Sequence, residues 1–162
     1  MLPLEPSRYI VKYPGTFPPR YSVVRSDCAA CLPDHTCVAI VDDDPFFRSL
    51  LKVMLTQAGL QNAKILEAED SIGALDLCER NAVDLVFCDL HLPALRSKSG
   101  LEIIRELRYA SPDIPVYMVT RDNTQELIEE VREIGATGLI LKPVNLRILK
   151  RILVSTFSQN PS

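Results

Sequence analysis

The stretch "VAIVDDDPFFR", Val38 to Arg48, runs an apolar segment straight into three consecutive aspartates, then a proline and two phenylalanines. A short apolar run bounded by polar residues is the pattern of a buried strand. Beyond the aspartates the spacing becomes helical: Phe47, Leu50, Leu51, Met54 and Ala58 make the expected buried stripe, and Gly59 stops it. Asp44 can cap that helix, with Pro45 preorganised in its first turn. The stretch therefore reads as a strand passing into a helix, with Asp42 and Asp43 left at the strand's carboxyl end.

The same rhythm continues to the end of the chain. Four more apolar runs read as strands: "KILEA", "DLVFCD" ending at Asp89, "VYMVT" ending at Thr120, and "GLILK" ending at Lys142. Helical patterns separate them. One opens at Asp70 or Ser71 and runs to Arg80, and one comes after "SKSG" with Leu101, Ile104 and Leu107 before the break at "SPDIP". Another begins at "RDNTQ" and stops at Gly135, and the last is capped by Asn145 and runs through Leu149, Ile152 and Leu153. Strands that are apolar throughout, alternating with amphipathic helices, predict an α/β fold with a parallel sheet covered on both faces.

With 162 residues, 47% hydrophobic and 24% charged, the chain suffices for one domain with a proper core and some spare chain. The spare chain lies in residues 1–36, which hold Pro3, Pro6, Pro14, Pro18, Pro19 and Pro33 and keep no period for long. Within this appendage, "RYIVKY" and "RYSVV" flank "PGTFPP" and form either a docked hairpin or a loose tail. The expected domain is 37–157, with a tail at 158–162.

A net charge of −3 disfavours broad binding to nucleic acid or to an anionic membrane. Neither a secretory leader nor a membrane-spanning run is visible, so a soluble, cytoplasmic protein is expected. Five cysteines, an odd count, suit reduced thiols rather than a disulfide framework. Cys28, Cys31, His35 and Cys37 pose a zinc question against ordinary thiols, while Cys78 and Cys88 are expected in the core.

In an open parallel sheet, ligands bind beyond the carboxyl ends of the strands. Those ends carry Asp42 and Asp43, Asp89, Thr120 and Lys142. Clustered carboxylates repel unless a cation intervenes, and all-oxygen ligation in a wet cleft suits Mg²⁺. With the metal and Lys142 neutralising an arriving phosphoryl group and Thr120 donating to it, one Asp oxygen can attack phosphorus to give an aspartyl phosphate.

"VAIVDDDPFFR", "LVFCDLHLP", "VYMVT" and "GATGLILKP", in this order, resemble the receiver domain of two-component response regulators from Cys37 to about Phe157. The resemblance implies a flavodoxin-like (βα)5 fold with strand order 2-1-3-4-5. It implies Asp89 as phosphoacceptor, Asp42 and Asp43 as the acidic pair holding Mg²⁺, and the backbone carbonyl of His91 as a further metal ligand. Thr120 takes the place of the switch hydroxyl, Lys142 that of the residue pairing with the phosphoryl group, and Pro143 that of a cis-proline. The implied partners are a sensor histidine kinase or phosphotransfer protein and a downstream protein, with the chain a phosphoacceptor rather than an enzyme.

Three positions depart from the family pattern. Arg121 stands where a small residue usually leaves the pocket open, and either screens Asp89 or binds the phosphoryl group itself. Leu139 replaces the switch aromatic. The loop "ALRSKSG" is longer than the common form by about three residues and adds Arg96 and Lys98. These departures keep open a second reading, a phosphorylation-independent interaction module. A third, a haloacid dehalogenase-type phosphatase using Asp42 and Asp44, leaves Asp89 without a role.

Glu126, Glu129, Glu130 and Glu133 on the fourth helix and Arg147, Lys150 and Arg151 on the fifth are either solvated faces or the cross-paired surface of a homodimer. No output or DNA-binding module is visible after the last helix, so a receiver acting alone by protein contact is expected, unless the chain is part of something longer.

Overall fold

The computed structural model describes the backbone of residues 10–12 and, in full, residues 35–92 and 99–157. Five parallel strands, β2 (Cys37–Val41), β3 (Lys64–Ala68), β4 (Leu85–Asp89), β5 (Val116–Thr120) and β6 (Gly138–Leu141), alternate with α1 (Pro45–Gln57), α2 (Ser71–Arg80), α3 (Gly100–Ala110), α4 (Gln125–Glu133) and α5 (Leu146–Phe157). An additional strand, β1 (Ile10–Lys12), precedes them. The sheet order is β1-β6-β5-β4-β2-β3. Its parallel part is the expected order 2-1-3-4-5, reversing direction beside β2.

β1 belongs to "RYIVKY", but no hairpin with "RYSVV" is described, because residues 13–34 lie outside the described part. It runs antiparallel along β6 instead, with Ile10 opposite Ile140 and Lys12 opposite Gly138. The Cys28 and Cys31 of the zinc question also lie outside the described residues. His35 is exposed, and Cys37 is buried at the start of β2.

Helices on both faces bury the sheet in two apolar layers. On one side Val38, Ile40, Phe87, Tyr117 and Ile140 meet Leu51 and Leu55 of α1 and Ile148, Leu149, Ile152 and Leu153 of α5. On the other, Ala39, Val86, Cys88, Met118 and Leu139 meet Ala74 of α2, Ile103, Ile104 and Leu107 of α3, and Val131 of α4. The alternation along each strand feeds both layers, which is why the strands read as continuously apolar.

The helix ends obey local chemistry. The Asp44 carboxylate accepts from the Phe46 N–H at 2.9 Å, Asp70 accepts from Gly73, and Asn145 accepts from Ile148. Ser99 and Glu102 make a reciprocal capping box at α3. Gly59 and Gly135 take positive φ where α1 and α4 end. One expectation fails: Leu50, assigned to the buried stripe of α1, is 44% exposed, and Leu55 is buried in its place. Apolar residues surround much of this helix, and only the packed partners, β2 and α5, define its inner face.

Candidate functional site

Strand geometry delivers the polar residues to one edge. Asp42 comes directly after β2, Asp89 ends the neighbouring β4, Thr120 ends β5, and Lys142 comes directly after β6. Asp42, Asp43 and Asp89 each present an oxygen, all within 4.8 Å of one another, the one such acidic or metal-ligating cluster among the described residues. Asp42 and Asp89 are buried, whereas Asp43 faces solvent.

The backbone and side chain of Asp42 are fixed on every side. Its N–H donates to the Ala68 carbonyl at 3.1 Å, and its own carbonyl accepts from Arg48 Nη1 at 2.6 Å. Oδ1 accepts the Asp44 N–H at 2.9 Å, and Oδ2 accepts from Lys142 Nζ at 2.8 Å. Arg48 also lies 3.5 Å from Glu67 of β3, so the first turns of α1 are tied to the strand beside Asp42.

Asp89 is held more loosely. Its Oδ1 accepts the His91 N–H at 3.2 Å, and Lys142 Nζ stands 3.8 Å from Oδ2. Burial first, and then the Asp42 carboxylate, push the Asp89 carboxyl above the usual carboxylate range. Lys142 and the His91 N–H oppose that push. A carboxylate raised by burial and by like charge is one whose charged form added positive charge would favour.

The Thr120 side chain is buried, and its hydroxyl accepts the Asp122 N–H at 3.1 Å. The His91 side chain is exposed, so only its backbone reaches Asp89. Arg121 is exposed just past Thr120. Leu139 is 0% exposed within the layer facing α4. The Lys142–Pro143 peptide is cis. Arg96 and Lys98 lie outside the described residues. Asp44, the second acid of the phosphatase reading, turns away into the cap of α1.

Sequence reasoning missed two neighbours of the site, Phe47 and Arg48. Phe47 is assigned by its spacing to the core stripe alone, yet its ring centroid lies 4.1 Å from Lys142 Nζ. Nothing local in the sequence marks the Phe47 contact, since Phe47 and Lys142 are far apart along the chain, whereas Arg48 returns to the carbonyl of Asp42 six residues before it.

Residues 38–154 match the family model of the response regulator receiver domain. The chain belongs to the response regulator receiver family. This receiver is 33% identical over 113 residues to a cyclic di-GMP phosphodiesterase of Thermotoga maritima, covering 70% of the chain but 28% of that protein. It is 29% identical over 132 residues to the chemotaxis protein CheY-3 of Vibrio cholerae, covering 80% of the chain and 98% of that protein. The solved structure of CheY4 from Vibrio cholerae superimposes with a TM-score of 0.67 at 27% identity, covering 75% of this chain and 98% of that one. The receiver thus spans nearly the whole of one relative and about a quarter of another. Among its described residues no helix is long and apolar enough to cross a membrane.

Proposed function

We propose that this receiver takes a phosphoryl group onto Asp89 from a sensor histidine kinase or phosphotransfer protein. Mg²⁺ is held by Asp42, Asp43, Asp89 and the backbone carbonyl of His91. The modified surface then regulates a partner protein by contact in the cytoplasm. The observation that carries this reading is the convergence of three carboxylates within 4.8 Å on an edge where a single lysine reaches two of them. Three hard oxygen donors with excess negative charge fit Mg²⁺. When bound, the ion supplies charge neutralisation for the phosphoryl oxygens.

The chain's own residues do the rest. An Asp89 oxygen forms the bond to phosphorus while the donor's phosphorus–nitrogen bond breaks, and the electron pair leaves on the imidazole nitrogen. Lys142, 3.8 Å from Asp89, has a short distance to travel to pair with the transferred group. Thr120, whose hydroxyl accepts from the Asp122 N–H at rest, turns its donor to a phosphoryl oxygen. Arg121 stands at the mouth as an additional cation. The receiver unit in this reading is 37–157, with 1–36 and 158–162 as appended segments, and α4 and α5 offer oppositely charged faces for a second copy.

A second reading is favoured by Leu139. It is fully buried and branched, so this position offers no aromatic ring to rotate inward when Thr120 moves. On that reading the receiver binds its partner whether or not it is modified. One experiment separates the two: the receiver is incubated with Mg²⁺ and a phosphohistidine donor, or with beryllofluoride. Mass and amide shifts are then read for wild type and Asp89→Asn. Labelling of wild type alone, with shifts extending from Thr120 to α4, supports the switch. Absence of both in wild type refutes it and leaves the constitutive module. Steady phosphate release from small esters would instead support a phosphatase.

A further inference from the structure

Lys142 is shared between two carboxylates, and a third neighbour, the Phe47 ring, lies against it. Asp42 cannot move to meet it, because the Ala68 carbonyl, the Arg48 guanidinium and the Asp44 N–H already fix its backbone and one oxygen. The lysine is the movable member. It sits 2.8 Å from Asp42 Oδ2 and 3.8 Å from Asp89 Oδ2, with the Phe47 ring 4.1 Å from its ammonium. An ammonium over an aromatic face is attracted by the ring quadrupole, more strongly when partly desolvated. The Lys142 side chain is mostly buried, so the ring is one wall of its resting place.

We propose that Phe47 is a positioning residue that parks Lys142 on Asp42, and so sets how strongly the lysine competes with a divalent cation for that carboxylate. The cation half of this proposal rests on the Mg²⁺ reading given above, whereas the parking of Lys142 does not. Asp42 Oδ2 cannot pair fully with both the ammonium and an incoming ion. Whatever holds the ammonium there weakens the ion's grip by up to the same factor, by linkage. A contact of ordinary cation–π strength corresponds to about a 2- to 5-fold effect. The same ring leaves Lys142 biased away from Asp89 until extra negative charge arrives there.

The test uses the full chain as wild type, Phe47→Leu and Phe47→Tyr. The Lys142 Cε–H resonance, assigned by its loss in Lys142→Arg, reports the ring directly, since protons over an aromatic face are shifted upfield. Mg²⁺ affinity is measured by amide-shift titration on the same samples, and a urea transition confirms that each variant folds. The expected result is a downfield move of the Lys142 resonance in Phe47→Leu, Mg²⁺ bound about 2- to 5-fold more tightly, and a return to wild-type values on both counts in Phe47→Tyr. An unmoved resonance, or equal or weaker Mg²⁺ binding by Phe47→Leu, overturns the proposal. If wild type binds no Mg²⁺, the metal reading of the site falls, and the resonance alone decides whether Phe47 parks the lysine.

Discussion

Replacing Asp89 by asparagine should stabilise the metal-free protein, although the residue sits at the centre of the site. At an effective dielectric near 20, Lys142 at 3.8 Å attracts the Asp89 carboxylate by about 4 kcal/mol, and Asp42 at no more than 4.8 Å repels it by at least roughly 3.5 kcal/mol. These nearly cancel. Asp43, solvent-exposed and screened, adds roughly 1 kcal/mol of repulsion. What remains is the desolvation of the charge, a fraction of the several kcal/mol that full burial of an ion costs, and the His91 N–H bond, which an asparagine Oδ1 can also accept. Asp89→Asn should therefore gain about 1–2 kcal/mol, or roughly 3–8 °C in Tm for a domain of this size.

The pH dependence has a fixed sign. The Asp89 carboxyl is raised in the folded state by burial and then by Asp42, so the folded chain holds this proton more tightly than the unfolded one. Below the ordinary carboxyl value, about 3.9, both states are protonated and the charge penalty vanishes. As pH rises from there through the raised folded value, wild type loses stability relative to Asp89→Asn, and the gap then stays level. Urea transitions of both proteins in EDTA from pH 3.5 to 7 measure it, and the difference cancels the carboxylates outside the Asp42, Asp43 and Asp89 cluster. Mg²⁺ at ten times its dissociation constant should return about 1.4 kcal/mol to wild type. An Asp89→Asn protein no more stable than wild type in EDTA, or a gap that does not grow with pH, refutes the reasoning.

Gly100→Ala should cost about 2–4 kcal/mol in a urea transition, because its methyl would overlap the Asp89 carbonyl and lie 2.9 Å from both Leu90 Cα and Met118 Cε. Backbone atoms cannot yield as a flexible side chain does, and an unchanged midpoint would contradict this close approach of α3. Asp44→Ala should lose about 1 kcal/mol as a missing helix cap. Its Mg²⁺ affinity should stay at the wild-type value, and a clear loss of affinity would place Asp44 in the metal site instead. Burial pushes the thiols of Cys37, Cys78 and Cys88 up, Cys78 to about 11. At pH 7.5 these cysteines should resist iodoacetamide in the folded protein and react on unfolding. Fast native labelling of Cys78, read by mass spectrometry, would count against its packing.

The site was legible because its chemistry sits at strand ends. An apolar run that stops at a carboxylate, a hydroxyl or an ammonium marks both the strand and the edge it points to, so Asp42, Asp89, Thr120 and Lys142 could be grouped before any pairing was known. Caps were legible for a similar reason, since Asp44, Asp70 and Asn145 bond to N–H groups two or three residues away. The capping box of Ser99 and Glu102 carried the same local signal and was overlooked. Contacts between distant segments left no such mark. Leu50 and Leu55 are equally apolar, and only the position of β2 and α5 sends one outward and one inward. Phe47 meets Lys142 because the β2–α1 turn brings the first turn of α1 over the sheet edge, and the same turn, not a distant segment, folds Arg48 back on the Asp42 carbonyl.

The sheet's two edges show how far a strand pattern can be read without its partner. β3 ends the sheet on one side and carries exposed Lys64 and Glu67, with Glu67 also reached by Arg48 and Lys52. Charged residues on an outer strand discourage pairing with another chain, and the sequence "KILEA" already contains them. β6 lies toward the opposite edge and has no charge within Gly138–Leu141, so its outer N–H and C=O groups would be open to any extended chain. Ile10–Lys12 covers them from the Pro-rich segment, by antiparallel pairing with Gly138–Ile140. The alternation in "RYIVKY" allowed a strand but equally a loose tail. Its partner was fixed by the unprotected edge of β6, a property of the assembled sheet that neither segment carries alone.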